Sequence, residues 1–115
     1  MPEIVGIGVD IEEISRFEKN LKNKKFLDKI FTKQELEYCF SKGRPAQHLA
    51  ARFCAKEAVI KAIPRKINYK DVEIKNNGIV PEVKVKSNDK FKILVSLTHS
   101  NSSAMAFVLL QIRSR

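Results

Sequence analysis

The sequence predicts one small α+β domain in which an antiparallel sheet packs on about three helices. Apolar residues recur at helical spacing through residues 14–63, which predicts helices there. Short segments rich in Val, Ile and Phe, separated by Asn, Ser and Gly, fill the second half and predict strands. The 115 residues contain no repeat and no linker, so we expect a single domain over residues 1–115.

The first predicted element is a buried strand in EIVGIGVDIE, residues 3–12. One face is β-branched (Val5, Ile7, Val9 and Ile11), and the other carries Ile4, two glycines and two carboxylates (Gly6, Gly8, Asp10 and Glu12). Glycines in a strand allow another group to approach the backbone closely. That group is either a ligand on an open shelf or a closely packed helix, and the sequence leaves both open.

Three helices are predicted next. Apolar residues at helical spacing around Phe17 predict the first, and the basic run KNLKNKKF follows it. A capping box of Thr32 and Glu35 begins the second. Pro45 suits the first turn of the third, which runs through AQHLAARFCAKEAVIKAI until Pro64 stops it.

The second half is predicted to be a meander of antiparallel strands. Its strand-like segments are INYKDVEIK, IVPEVKVK, KFKILVSL and AMAFVLLQI, over residues 67–75, 79–86, 90–97 and 104–112. Turn residues separate them at 76–78, 87–89 and 101–103.

The composition restricts partners and location. Lys and Arg outnumber Asp and Glu by 22 to 13, which favours an anionic partner. No apolar run approaches the length of a membrane span, and the N-terminus has no basic region typical of a signal peptide. Cys39 and Cys54 have no metal-site spacing. We therefore expect a cytoplasmic protein with two free thiols and no membrane contact.

The charges in FCAKEAVIKA, residues 53–62, indicate a site on the third helix. A carboxylate such as Glu57 in an apolar helix needs compensation, and Lys61 one turn later can supply it in a simple ion pair. Alternatively, the strand end meets this helix, and Glu57 joins Asp10 and Glu12 in a cluster of hard oxygen ligands typical of Mg²⁺. Lys61 beside such a metal would steady a phosphate, which indicates phosphoryl chemistry. Lys56 is left as a docking or structural residue.

Two motifs carry a family resemblance. GIGVDIEEISRF, followed about forty residues later by RFCAKEAVIKA, resembles the G-x-D-I-x-x-I and F-x-x-K-E-A-x-x-K-A signatures of the holo-[acyl-carrier-protein] synthases. These are the small bacterial 4'-phosphopantetheinyl transferases. SLTHSNSSAMAFVLL resembles their C-terminal strand pair, with Ser-x-x-His before the final strand.

The resemblance implies an activity and a metal site. Family members transfer the 4'-phosphopantetheine of coenzyme A to a serine of apo acyl carrier protein, release 3',5'-ADP and serve fatty acid biosynthesis. By motif position, Asp10 and Glu57 would hold Mg²⁺, Glu12 would be a third acidic ligand, and Lys61 would contact phosphate. The serine proton needs a base, and the sequence leaves Glu57 and a metal-bound water as alternatives.

The resemblance also implies a coenzyme A pocket lined by Arg44, Arg52 and His99. One segment departs from the family pattern. After the third helix, members usually continue with a glycine-rich turn, whereas this chain reads IPRKINYKDVEI. A structural hydrogen bond is an equal alternative for His99, because it ends an alternating strand beside a turn.

Partners follow from the resemblance as well. Acyl carrier proteins are acidic, and Arg16, Lys22 and Lys25 match the basic docking stretch of the family. Members assemble as homotrimers with active sites at subunit interfaces. The alternative of a small basic RNA-binding protein fits the charge, but the chain lacks RNP-like and G-x-x-G signatures, so we expect no nucleic-acid partner. A non-enzymatic adaptor for acidic proteins is a third alternative.

Overall fold

The computed structural model describes residues 3–78, 80–88 and 90–113. The elements follow in the order β1 (Ile4–Glu13), α1 (Ile14–Glu18), α2 (Lys24–Ile30), α3 (Lys33–Phe40), α4 (Pro45–Ala62), a 3₁₀ turn (Tyr69–Asp71), β2 (Val72–Asn77), β3 (Val80–Val85), β4 (Phe91–His99) and β5 (Ser103–Ile112). Ile79 of the second predicted strand segment and Asp89 of a predicted turn lie outside the described residues. The antiparallel α+β class is confirmed.

The described residues form four α-helices, one more than predicted. The additional helix, α2, begins inside the basic run, where the Asn23 side chain caps it by accepting the Phe26 N–H at 3.1 Å. The predicted capping box is confirmed, because Thr32 and Glu35 each accept the other's backbone N–H at the start of α3. Helix α4 begins at Pro45 as predicted.

The strands form two sheets rather than one meander. Within the described part of the chain, one sheet has the order β1-β5-β4, and β2 and β3 form a separate hairpin. All strand pairs are antiparallel, and β5 lies in the centre of the larger sheet. Ala106 of β5 pairs with Asp10 of β1 on one side and with Leu97 of β4 on the other. The chain therefore brings its first strand beside its last.

The two glycines of β1 form the contact with α4. A Cβ atom at Gly8 would lie 1.9 Å from the Ala58 carbonyl oxygen, and one at Gly6 would lie 2.6 Å from that of Ala62. Neither distance leaves room for a side chain, so only glycine lets the helix come this close. Of the two alternatives for these glycines, close helix packing is correct and the ligand shelf is wrong.

The β-branched face of β1 is exposed, which corrects the prediction that this strand is buried. Its residues Ile7, Val9 and Ile11 are 62%, 52% and 59% exposed, and Phe107 of β5 beside them is 44% exposed. The core lies on the opposite face, where α4 packs on Val108 and Leu110. Alternation identifies two faces of a strand but does not say which one meets the core.

Two further expectations concern the thiols and the membrane. Cys39 and Cys54 are free and buried. Burial raises the pKa of each thiol to about 12, so both remain protonated at neutral pH. None of the helices in the described ranges has the length and apolar character needed to cross a membrane.

Candidate active site

As predicted, the first strand meets the helix that carries Glu57 and Lys61. This helix is α4 in the structure. Asp10 lies on the α4 side of β1, and its Oδ1 accepts a hydrogen bond from Lys61 Nζ at 3.2 Å. Lys61 Nζ also donates to the Val9 carbonyl oxygen at 3.0 Å. Within the described residues Lys61 thus forms its ion pair with Asp10, and the simple Glu57–Lys61 pair is not formed.

The second oxygen of Asp10 is unusual. Its Oδ2 is buried, yet it has no hydrogen-bond partner within the described residues. The Cys54 thiol lies near Asp10 and donates to the Ala104 carbonyl oxygen at 3.2 Å. A buried carboxylate oxygen without a partner costs free energy and indicates a group that the protein is built to receive.

Glu12 is already compensated. Its Oε1 accepts a hydrogen bond from Arg16 Nη1 at 3.1 Å. The pKa of Glu12 is raised, first by burial and then by the neighbouring charges of Asp10 and Glu57, although Arg16 opposes the rise. The carboxylates of Asp10, Glu12 and Glu57 therefore lie close to one another, but Glu12 has its own counter-ion in Arg16.

Glu57 projects from α4 one turn before Lys61 and is half-buried. The hydroxyl of Tyr69, in the segment that departs from the family pattern, lies near the Glu57 carboxylate. Burial raises the pKa of Tyr69 to about 12, and the neighbouring Glu57 carboxylate adds to the rise. The motifs alone did not indicate Tyr69, because it lies outside both of them.

The carboxylate oxygens of Asp10 and Glu57 suit a cation that takes most of its ligands from substrate and water. Among the described residues, no three His, Cys, Asp or Glu side chains come close enough together to enclose a metal ion. Asp10 and Glu57 offer oxygen ligands, and the free Oδ2 of Asp10 is available to a cation. Mg²⁺ is commonly held in this way, by one or two carboxylates together with phosphate oxygens and water.

A cavity of about 450 Å³ lies on the other side of α4. Its wall includes Arg52, Gln47 and His99, together with Tyr38 of α3 and Pro81 of β3. Arg52 is only 5% exposed, and its guanidinium lies 4.2 Å from the centre of the Tyr38 ring. Arg52 forms no ion pair with a carboxylate in the described ranges, and its Nε has no hydrogen-bond partner there. A buried cation without a counter-ion in a cavity wall favours an anionic ligand.

The other two predicted pocket residues are placed differently. His99 lines the cavity, with its Nε2 3.1 Å from the Gln47 side-chain nitrogen. Arg44 lies outside this wall at the start of α4, where it donates to the Asn101 carbonyl oxygen at 2.9 Å and approaches Glu18 at 3.8 Å. In the free chain Arg44 therefore secures the β4–β5 turn.

The predicted docking residues lie in α1, in α2 and in the segment between them. Lys22 and Lys25 are exposed and form no ion pair within the part of the chain that the structure describes. Arg16 is half-exposed, and its guanidinium lies 5.1 Å from the centre of the Phe53 ring and 5.8 Å from that of Phe26. These contacts place Arg16 between α2 and the carboxylate of Glu12.

Comparison with known proteins identifies the family. The model of the 4'-phosphopantetheinyl transferase superfamily matches residues 6–108. The chain belongs to this superfamily. Among its phosphopantetheinyl transferase relatives, the holo-[acyl-carrier-protein] synthase of Thermodesulfovibrio yellowstonii is 44% identical over 112 residues, which cover 93% of this chain and 98% of the relative. That of Geobacter sp. (strain M21) is 42% identical over 123 residues, covering 94% and 98%.

Solved phosphopantetheinyl transferases share the fold. The holo-(acyl-carrier-protein) synthase of Bacillus anthracis, in complex with CoA (3',5'-ADP), superimposes with a TM-score of 0.84 at 35% identity and covers 96% of this chain and 98% of its own. The Helicobacter pylori enzyme in complex with coenzyme A gives a TM-score of 0.78 at 26% identity, covering 90% and 98%. The family resemblance read from the two motifs is confirmed.

Proposed function

We propose that this chain uses Asp10, Glu57 and Lys61 to catalyse the reaction of its family. That reaction moves the 4'-phosphopantetheine group of coenzyme A to a serine hydroxyl of apo acyl carrier protein and releases 3',5'-ADP. The serine hydroxyl loses its proton to a base, its oxygen forms a bond to the β-phosphorus, and the bond from that phosphorus to the bridging oxygen breaks. Charge therefore develops on the departing 5'-phosphate.

One observation carries the assignment of the catalytic residues. Asp10 is paired with Lys61 through one oxygen, while its other oxygen is buried and has no partner among the described residues. Asp10 and Glu57 would hold Mg²⁺ together with the diphosphate, and Lys61 would donate to a phosphate oxygen. When bound, Mg²⁺ supplies charge neutralisation and keeps the reacting groups in line. Glu12 remains a predicted third ligand, although its bond to Arg16 makes this role secondary.

Coenzyme A is the ligand that we assign to the cavity. Arg52 supplies a buried positive charge without a counter-ion, and His99 and Gln47 add polar groups at its rim. A nucleotide phosphate would satisfy the guanidinium through paired N–H···O bonds. Arg44, at the start of α4, would join only after giving up its bond to Asn101.

A homotrimer accounts for two features together. The cavity is lined by β4, whereas Asp10 lies on β1, and the central strand β5 separates them. The outer face of the same sheet carries exposed Ile7, Val9 and Phe107. Contiguous exposed apolar residues of this kind are typical of association surfaces. In the proposed homotrimer this face joins the copies, and each active site combines one copy's cavity with another's carboxylates.

We assign the docking of the carrier protein to Arg16, Lys22 and Lys25. Arg16 lies beside Glu12, both lysines are exposed, and the whole chain carries a net charge of +9. Opposite charges on two partners mainly raise the association rate. We place the reaction in cytoplasmic fatty acid biosynthesis, in agreement with two free, buried thiols.

Intact-protein mass spectrometry tests the proposal directly. An apo acyl carrier protein is incubated with this protein and coenzyme A, in Mg²⁺ or in excess chelator. We expect the carrier to gain one phosphopantetheine in Mg²⁺ and none in chelator. No gain with several carrier proteins, from a sample shown to be folded, would contradict the proposal. An undiminished gain in chelator would contradict the metal assignment alone.

A further inference from the structure

Tyr69 lies against the catalytic face of α4. Its ring centre is 5.5 Å from that of Phe53, with 41° between the ring planes. Phe53 and Glu57 are four residues apart and therefore occupy the same side of the helix. A tyrosine ring packed on Phe53 can thus extend its hydroxyl toward the carboxylate of Glu57, which lies near it.

The backbone that carries Tyr69 is fixed by several bonds. Lys56 Nζ donates to the Tyr69 carbonyl oxygen at 2.9 Å and to that of Val72 at 2.6 Å. At the start of the turn, Asn68 N–H donates to the Asp71 side chain at 3.0 Å, and Asp71 N–H donates to the Asn68 carbonyl oxygen at the same distance. The hydroxyl is therefore presented from a rigid support.

The phenol acts as a donor at neutral pH. A phenol keeps its proton at neutral pH and can donate it in a hydrogen bond to a carboxylate. A neutral hydroxyl adds no charge to a neighbourhood that already holds three carboxylates. It occupies one lone pair of the Glu57 carboxylate and leaves the others for a cation.

We propose that Tyr69 is a positioning residue that orients the Glu57 carboxylate for the cation through its hydroxyl. The inference rests on the proposed function, in which Glu57 is a metal ligand. A carboxylate ligand that is hydrogen-bonded by an outer group is held in one orientation, and loss of such a group typically lowers metal affinity or activity by 10–100-fold. If the ring only packs on Phe53, phenylalanine would serve equally well.

The Tyr69→Phe variant separates these two roles, because it removes the hydroxyl and keeps the packed ring. We expect the Mg²⁺ concentration that gives half-maximal transfer to rise about tenfold or more. We also expect the melting temperature without ligands to stay close to wild type. Unchanged Mg²⁺ dependence in a folded Tyr69→Phe protein would overturn the inference.

Tyr38→Phe is the matched control, since Tyr38 is the other tyrosine in the chain. Its hydroxyl accepts a bond from Asn76 at 2.8 Å in the cavity wall, on the other side of α4. Because Tyr38 lies in the coenzyme A cavity, we expect this variant to change the KM for coenzyme A, but to leave the Mg²⁺ dependence unchanged when coenzyme A is saturating. An equal Mg²⁺ shift in both variants would overturn a specific role for Tyr69.

A spectroscopic test is independent of activity. The chain has no tryptophan, so a Tyr38→Phe protein emits from Tyr69 alone. An excited phenol is a stronger acid and loses its proton to a bonded carboxylate, which quenches emission. We expect Glu57→Gln in this background to increase Tyr69 emission, and Mg²⁺ with coenzyme A to change emission only when Glu57 is present. Emission that is insensitive to both would overturn the inference.

The outcomes distinguish the inference from the proposed function. If Glu57→Gln abolishes transfer while Tyr69→Phe has wild-type Mg²⁺ dependence, the positioning role is wrong and the proposed function stands. If Glu57→Gln keeps full Mg²⁺-dependent transfer, the metal role of Glu57 and the role of Tyr69 are both wrong. Loss of transfer in Glu57→Gln with the Mg²⁺ shift in Tyr69→Phe supports both.

Discussion

Helix α4 carries two lysines that pair with carboxylates, and the two pairs differ in how many of their polar atoms have hydrogen-bond partners. Lys56 Nζ lies 2.7 Å from Glu35 Oε1, both side chains are fully buried, and two backbone carbonyl oxygens accept its remaining protons. Glu35 Oε2 accepts the Ile74 N–H at 2.8 Å. By contrast, Lys61 is 52% exposed, and its partner Asp10 has one oxygen without a hydrogen bond among the described residues.

From this difference we assign the first pair to folding and propose the second for chemistry. The Glu35–Lys56 pair joins α3, α4 and β2 and has no capacity left for a ligand. The Asp10–Lys61 pair keeps an acceptor oxygen and an accessible ammonium group. The sequence left a docking role and a structural role open for Lys56, and the structure shows that its role is structural. Burial lowers the pKa of Lys56, although Glu35 opposes the shift.

The largest expected effect comes from breaking the buried pair. Glu35→Gln leaves Lys56 either charged without a counter-ion or forced to release its proton. Removal of one partner of a buried ion pair costs about 3–5 kcal/mol. We expect urea denaturation of Glu35→Gln to give a free energy of unfolding lower by that amount. A loss below about 1 kcal/mol would mean that the pair does not hold the elements together.

Lys61→Met is the corresponding change in the exposed pair. We expect transfer, measured as kcat/KM by mass spectrometry of the carrier, to fall about 10–100-fold because a phosphate contact is lost. The free energy of unfolding should stay within about 0.5 kcal/mol of wild type, since the side chain is half-exposed. A Lys61→Met protein that is fully active, or as unstable as Glu35→Gln, would remove the contrast between the pairs.

The same contrast explains what the sequence could predict. Local patterns were sufficient for the Thr32 capping box and for the start of α4 at Pro45, because residues close in the chain determine both. The family motifs located Asp10 and Glu57. The sequence did not predict that Glu35 pairs with Lys56. Glu35 lies on another helix, and its spacing from Thr32 already explained it as part of the capping box. The exposed face of β1 was misassigned because an exposed apolar strand face has the same alternating pattern as one that meets the core.

A smaller effect is expected from the titration of His48 in α4. Its pKa is lowered, first by burial and then by the positive charges of Arg52, Lys42 and His99. The folded state therefore binds fewer protons than the unfolded state between pH 6.5 and the lowered pKa, so stability is lost as the pH falls below 6.5.

We expect His48→Gln to lose less stability than wild type over that acidic interval. Urea midpoints of both proteins, measured from pH 7.5 downward, check this. Parallel curves throughout would show that His48 is not responsible for the pH dependence.

The most direct test of the two roles is Asp10→Asn, measured for both transfer and stability. The amide keeps the size of the side chain but replaces one carboxylate oxygen with a nitrogen that cannot ligate a cation. We predict that kcat/KM for carrier modification falls at least about a hundredfold, while the free energy of unfolding is unchanged or higher because a buried charge is gone. Transfer at the wild-type rate, or a stability loss comparable to that of Glu35→Gln, would contradict the assignment of Asp10 to chemistry rather than to folding.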